Sequence, residues 1–85
     1  MNNRLTVSQE EISHALNRVI DPVTGKGLVE SGRIQGLTPR PDGRVVFTIE
    51  APPGAGEFYE KALIAAENAV RGLPGVTAVT AVLTA

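Results

Sequence analysis

The stretch Glu50-Ala51-Pro52-Pro53-Gly54-Ala55-Gly56-Glu57 most limits how this chain can fold. Alternating apolar residues end there and a helical period begins there. Two prolines and two glycines within five residues rule out regular structure across the join. A strand must therefore deliver the chain to a turn, and the turn must launch a helix. A functional site is expected at this strand-to-helix turn.

On the strand side, Val45, Phe47 and Ile49 alternate with Val46, Thr48 and Glu50. The first set should meet the helices. On the helix side, a pattern from about Glu57 to Leu73 carries an apolar stripe of Phe58, Ala62, Ala65, Ala66, Ala69, Val70 and Leu73, widened by Leu63. Four alanines on that stripe predict a close approach of helix to sheet. Gly72 and Pro74-Gly75 stop the helix. Val76 to Leu83 then reads as a Val- and Thr-rich strand, apolar on both faces.

Upstream, Ser8 and Glu11 have the spacing of a capping box, and Val7 and Ile12 that of a hydrophobic staple. Residues 1–7 read as a polar lead-in. Ile12, Ala15, Leu16, Val19 and Ile20 mark one buried helix face, which Asp21-Pro22 should end. Residues 21–27 are a loop by composition, in which Asp21 suits a turn-capping role and could also face a ligand. Leu28 to Thr38 reads as a strand. Ile34 and Leu37 differ in parity, and Gly32 and Gly36 interrupt the run, so a bulge or a bent edge strand would reconcile them. Pro41-Asp42-Gly43 predicts a hairpin into the next strand.

The order is α-β-β-α-β. The simplest packing is a two-layer α+β sandwich, an α/β arrangement with two helices on one face of a three-stranded mixed sheet. Strand three is expected beside strand one, giving order 2-1-3. At 85 residues the chain is one domain spanning 1–85.

Composition excludes several functions. The formal charge of −1 offers no basic excess for nucleic acid. The chain has no cysteine and one histidine, so Cys and His side chains cannot build a zinc or iron site. No signal peptide or membrane-length apolar run is present, which predicts a soluble cytoplasmic domain without a membrane partner. His14 sits among Glu10, Glu11 and Arg18 and reads as a solvated helix residue. Gly54-Ala55-Gly56 before a helix could present N–H groups to an anion. No Lys-Ser/Thr follows, so it is not a nucleotide P-loop. Glu50, Glu57 and Asp21 could in principle act as acid and base, but no nucleophile accompanies them.

Four segments together resemble a known family. They are Asp21-Pro22 with its following glycines, Leu28-Val29-Glu30-Ser31-Gly32, the run Val46-Phe47-Thr48-Ile49-Glu50-Ala51-Pro52, and Ala65 to Val70 continuing through Leu73-Pro74-Gly75-Val76 to Ala85. The chain resembles the iron–sulfur cluster assembly domain at the N-terminus of Mrp/ApbC-type P-loop ATPases, related to PaaD-like and SUF-associated small domains. The resemblance covers about residues 8–85. It implies a non-catalytic accessory domain in cluster assembly or transfer, acting by protein contact. It also implies that the chain could be excised from a longer ATPase. Implied partners are a P-loop ATPase domain, in cis or in trans, and a cluster scaffold or apo acceptor protein. ATP and the cluster would belong to the parent protein, with no cofactor in this domain.

The resemblance further implies a surface formed by Asp21, Pro22, Thr48, Glu50, Pro52, Pro53, Gly54, Ala55, Gly56 and Glu57. Val23 stands where the family usually has glutamate. Gly54 or Ala55 stands near the place of a cysteine found in many members. These departures favour docking over metal ligation. The alternative is a regulatory module that binds a small anion at residues 54–57.

Overall fold

In the computed structural model, residues 7–84 are described. Of the polar lead-in expected over 1–7, only Val7 falls among them, and it is buried. The element order is α1 (Gln9–Asn17), β1 (Ile34–Pro39), β2 (Arg44–Glu50), a 3₁₀ turn (Gly56–Tyr59), α2 (Glu60–Arg71) and β3 (Ala78–Thr84). It is a small α+β domain with two helices and a three-stranded mixed sheet.

The capping box forms as the spacing predicts. The Glu11 N–H donates to Ser8 Oγ at 3.1 Å, and the Ser8 N–H donates to Glu11 Oε1 at 2.9 Å. Two donors that the first turn would leave unpaired are thereby satisfied. Val7, Ile12, Ala15 and Leu16 are buried. The helix ends four residues before the proline, with Arg18 as its C-cap. Helical periodicity therefore stops applying at Val19. Ile20, expected on the buried face, is 57% exposed and forms an isolated bridge with Gly27.

The first strand is shorter than the expected Leu28–Thr38. Residues 28–33 coil into turns instead, with Ser31 N–H donating to the Gly27 carbonyl at 2.9 Å and Arg33 N–H to the Leu28 carbonyl at 3.1 Å. Leu28 still reaches the core. The bulge is present. Gln35 pairs with Thr48 but Thr38 pairs with Val46, so β1 carries one extra residue. Gly36 supplies the turn of backbone at φ 61°. Ile34 and Leu37 consequently both pack against the core despite their opposite parity.

The expected strand order is corrected. The sheet runs β1-β2-β3, with β2 in the centre. The hairpin pairs β1 with β2 antiparallel, and α2 returns the chain to β3, parallel to β2 on its other side. The burial of β2 agrees with its place: Val45, Phe47 and Ile49 are fully buried, whereas β1 and β3 contain no fully buried residue. The bulged and glycine-containing β1 is an edge strand, as such features suit.

The core lies between the inner side of β2 and the helices, joining Val45, Phe47 and Ile49 to Ile12, Leu16, Ala62, Ala66 and Val70. The opposite face of β3 shows Ala78, Thr80, Val82 and Thr84 to solvent. At the hairpin end, Gly43 (φ 93°) lies against the Gly75 carbonyl, with Thr77 N–H donating to the Gly43 carbonyl at 2.9 Å. Two turns distant in sequence are thereby held together.

The start of α2 departs from the expected stripe. Residues 56–59 turn as a 3₁₀ helix of about 3.0 residues per turn before the α-helix begins. This change of pitch rotates Tyr59 inward and Phe58 outward. Tyr59 is fully buried, and Phe58 is 68% exposed. The inner stripe is Tyr59, Ala62, Ala66 and Val70, while Ala65 faces solvent.

Candidate functional site

The Asp21 loop and the strand-to-helix turn meet through Tyr59. Asp21 is fully buried, alone among the charged residues described. Its backbone closes the loop: the Asp21 N–H donates to the Lys26 carbonyl at 2.7 Å, and the Gly25 N–H donates to the Asp21 carbonyl at 2.8 Å. Its carboxylate accepts three hydrogen bonds. Oδ1 accepts from the Val23 N–H at 3.2 Å and from the Tyr59 hydroxyl. Oδ2 accepts from the Thr24 hydroxyl at 2.9 Å. The Ser31 hydroxyl stands behind Thr24, 2.7 Å away. Arg33 Nε lies 3.7 Å from Oδ2, too far for a hydrogen bond, so it acts there as a neighbouring charge.

The turn-capping role expected for Asp21 is the one seen in its bond to the Val23 N–H. Burial pushes the carboxyl upward, but the hydrogen bonds from Tyr59, Val23 and Thr24, with the Ser31 hydroxyl behind them, outweigh it and hold the pKa at about 2. Burial, together with the Asp21 partner, raises the Tyr59 phenol. A carboxylate with a pKa near 2 is a weak base at neutral pH, and this one has no exposed face. It holds two segments together.

The remaining expected site residues fall into three places. Pro22 is exposed at the lip of the Asp21 loop. Thr48 and Glu50 lie on the side of β2 away from the core, so their side chains do not join Asp21. The Glu50 N–H donates to the carbonyl of Arg33 at 2.8 Å. Pro52, Pro53, Gly54, Ala55, Gly56 and Glu57 form the connecting turn, exposed at Pro53, Gly54 and Glu57. The Ala55 N–H donates to the Pro52 carbonyl at 3.0 Å, so that amide closes the turn rather than facing a ligand. Gly54 has φ 81° with open space where a Cβ would stand.

Sequence reasoning missed Tyr59, Thr24, Ser31 and Arg33 as partners of Asp21. Thr24 was within reach of local reasoning, because a hydroxyl three residues after an aspartate can close on it. Tyr59 had a signal in its spacing of three, four and four to Ala62, Ala66 and Val70. Arg33 carried no local signal. It also missed Phe58 as a surface residue beside Pro22. His14 is exposed on α1, as expected.

No group of three or more His, Cys, Asp or Glu side chains among the described residues could hold a metal ion. No described helix is long and apolar enough to cross a membrane. The residues present do not fit a resident iron–sulfur cluster, since the chain has no thiolate to offer.

Comparison with known proteins places the architecture and the family. Among solved structures, the crystal structure of a domain of unknown function, DUF59, from Bacillus anthracis superposes with a TM-score of 0.63 at 22% identity, covering 88% of this chain and 72% of that one. This similarity concerns the fold. A comparison with curated proteins finds no match. The family model described as iron-sulfur cluster assembly protein matches residues 9–81, which takes in both helices, the sheet through Ala81 and the Asp21–Tyr59 contact. The chain therefore belongs to the iron–sulfur cluster assembly protein family.

Proposed function

We propose that this chain is a non-catalytic accessory domain of cytoplasmic iron–sulfur cluster assembly, acting by protein contact as the N-terminal module of an Mrp-type cluster carrier ATPase. The reading is carried by the family match over residues 9–81 in a chain that has no cysteine with which to hold a cluster. The cluster is then the cargo of its partners, an ATPase domain and an apo acceptor or scaffold protein. Two features support contact rather than catalysis. The Asp21 carboxylate is buried and accepts three hydrogen bonds from the protein, and the exposed residues near it include the apolar Pro22, Val23 and Phe58.

In this role Asp21 and Tyr59 set the shape of the surface, while Pro22 and the 53–58 turn meet the partner. Isotope-labelled domain titrated with an Mrp-type ATPase and then with an apo acceptor tests the proposal. The expected result is amide shifts at Val23, Gly54 to Phe58 and Lys61. Absence of any shift with either protein would overturn it.

A further inference from the structure

A groove runs between the end of α1 with its Asp21 loop and the start of α2. It is lined by Val19, Ile20, Pro22, Phe58 and Ala65, with Arg18 and Lys61 at its polar margins. Phe58 is 68% exposed and Ile20 57%, the two most exposed large apolar side chains of the described residues apart from Ile64, which equals Ile20. Their exposure has a structural cause already described: the 3₁₀ turn commits Tyr59 to the core and turns Phe58 outward. Exposed aromatic and aliphatic groups side by side in a concavity are the makings of an anchor site.

The charge around the groove selects the occupant. Both ionisable side chains lining it are cations, and no acid lines it. We propose that this groove binds an acidic peptide segment of a partner protein, with an apolar side chain of that segment seated between Ile20 and Phe58 and its carboxylates facing Arg18 and Lys61. Opposite charges at the margin would set orientation and speed encounter, and the apolar anchor would supply most of the affinity. An anionic membrane is the poorer match. The site is concave, and only two cations border it, too few to hold a flat anionic surface. The inference rests on the docking role proposed above and names the chemistry of the docked segment.

The test uses two synthetic peptides with the same Leu-Phe centre, one flanked by glutamates and one by lysines, followed by amide shifts and fluorescence anisotropy. The acidic peptide should shift Ile20, Val23, Phe58 and Lys61, and the lysine peptide should not bind. Phe58→Ala should weaken the acidic peptide about tenfold or more. Arg18→Glu combined with Lys61→Glu should abolish its binding and admit the lysine peptide. Both variants change exposed side chains, so unchanged circular dichroism is expected. Equal binding of the two peptides, an unaffected Phe58→Ala variant, or binding of phosphatidylglycerol vesicles in place of either peptide would overturn the proposal. If the ATPase and acceptor shift other residues while the groove stays silent, the groove assignment fails and the docking role stands. If the acidic peptide binds and neither protein does, the groove stands and the assigned partners fall.

Discussion

The Tyr59 hydroxyl donates to Asp21 Oδ1 across 38 residues of sequence, and this bond ties the loop after α1 to the entrance of α2. Both groups are fully buried, so neither can turn to water if the other is lost.

Tyr59→Phe keeps the ring in the core and removes one donor from the carboxylate. Hydrogen bonds to charged groups contribute about 1.5–3 kcal/mol. A loss of that size in urea unfolding is expected, with the slope of the transition unchanged. The acid-unfolding midpoint should also move to higher pH, because Asp21 would lose the strongest of the bonds that depress its pKa.

Asp21 makes stability depend on acid. Its pKa of about 2 in the fold lies below the ordinary value of 3.8. The unfolded chain therefore takes up the proton first as pH falls. The stabilisation is complete above 3.8 and is lost as pH drops towards 2, and it amounts to on the order of 2 kcal/mol. At the other extreme, the raised Tyr59 phenol contributes stability that is complete below pH 10 and is lost as pH rises through its folded pKa. Chemical unfolding measured against pH should show both declines, and Asp21→Asn should flatten the acid one.

Ala66→Leu and Ala65→Leu should separate the two sides of α2. Ala66 is fully buried, so the larger residue overpacks the core and should cost about 1–3 kcal/mol. Ala65 faces solvent, and its substitution should change stability by less than about 0.5 kcal/mol. Thermal melts of the pair decide the assignment, and an unchanged melting temperature in Ala66→Leu would reverse it.

Gly43→Ala and Gly54→Ala form a second informative pair. Both glycines have positive φ, so each alanine should carry a backbone cost of about 1–2 kcal/mol. At Gly54 the added Cβ meets nothing. At Gly43 it meets the Gly75 carbonyl and lies 2.9 Å from Thr77 Cγ2. The Gly43 variant should therefore be clearly the less stable of the two in urea unfolding.

Local signals were legible where one segment determined its own structure. Ser8 and Glu11 announced the α1 start, Pro41-Asp42-Gly43 the hairpin, and the opposite parity of Ile34 and Leu37 a bulge or a bend, of which the bulge is the one formed. Phe58 and Tyr59 were exchanged because the helical period was extended back through a turn with a tighter pitch. The strand order was misread because a hairpin followed by a crossover can add β3 on either side, and the burial of β2 on the inner face does not choose between them. The Asp21 site was half legible. Its loop and the 50–57 turn were both marked by composition, but the buried contact that joins them depends on Tyr59 and Arg33, which come together only in the folded chain.

The parallel pairing of β3 with β2 has a consequence for anything attached beyond it. Thr84 pairs with Glu50, and the Ala51 N–H donates to the Thr84 carbonyl at 2.7 Å. Thr84 therefore lies beside the start of the strand-to-helix turn. A domain or probe fused there by a short tether would be held near that turn at an effective concentration on the order of millimolar. A contact too weak to survive dilution between separate molecules could then be occupied most of the time, and a fluorophore in the same position would report on it directly.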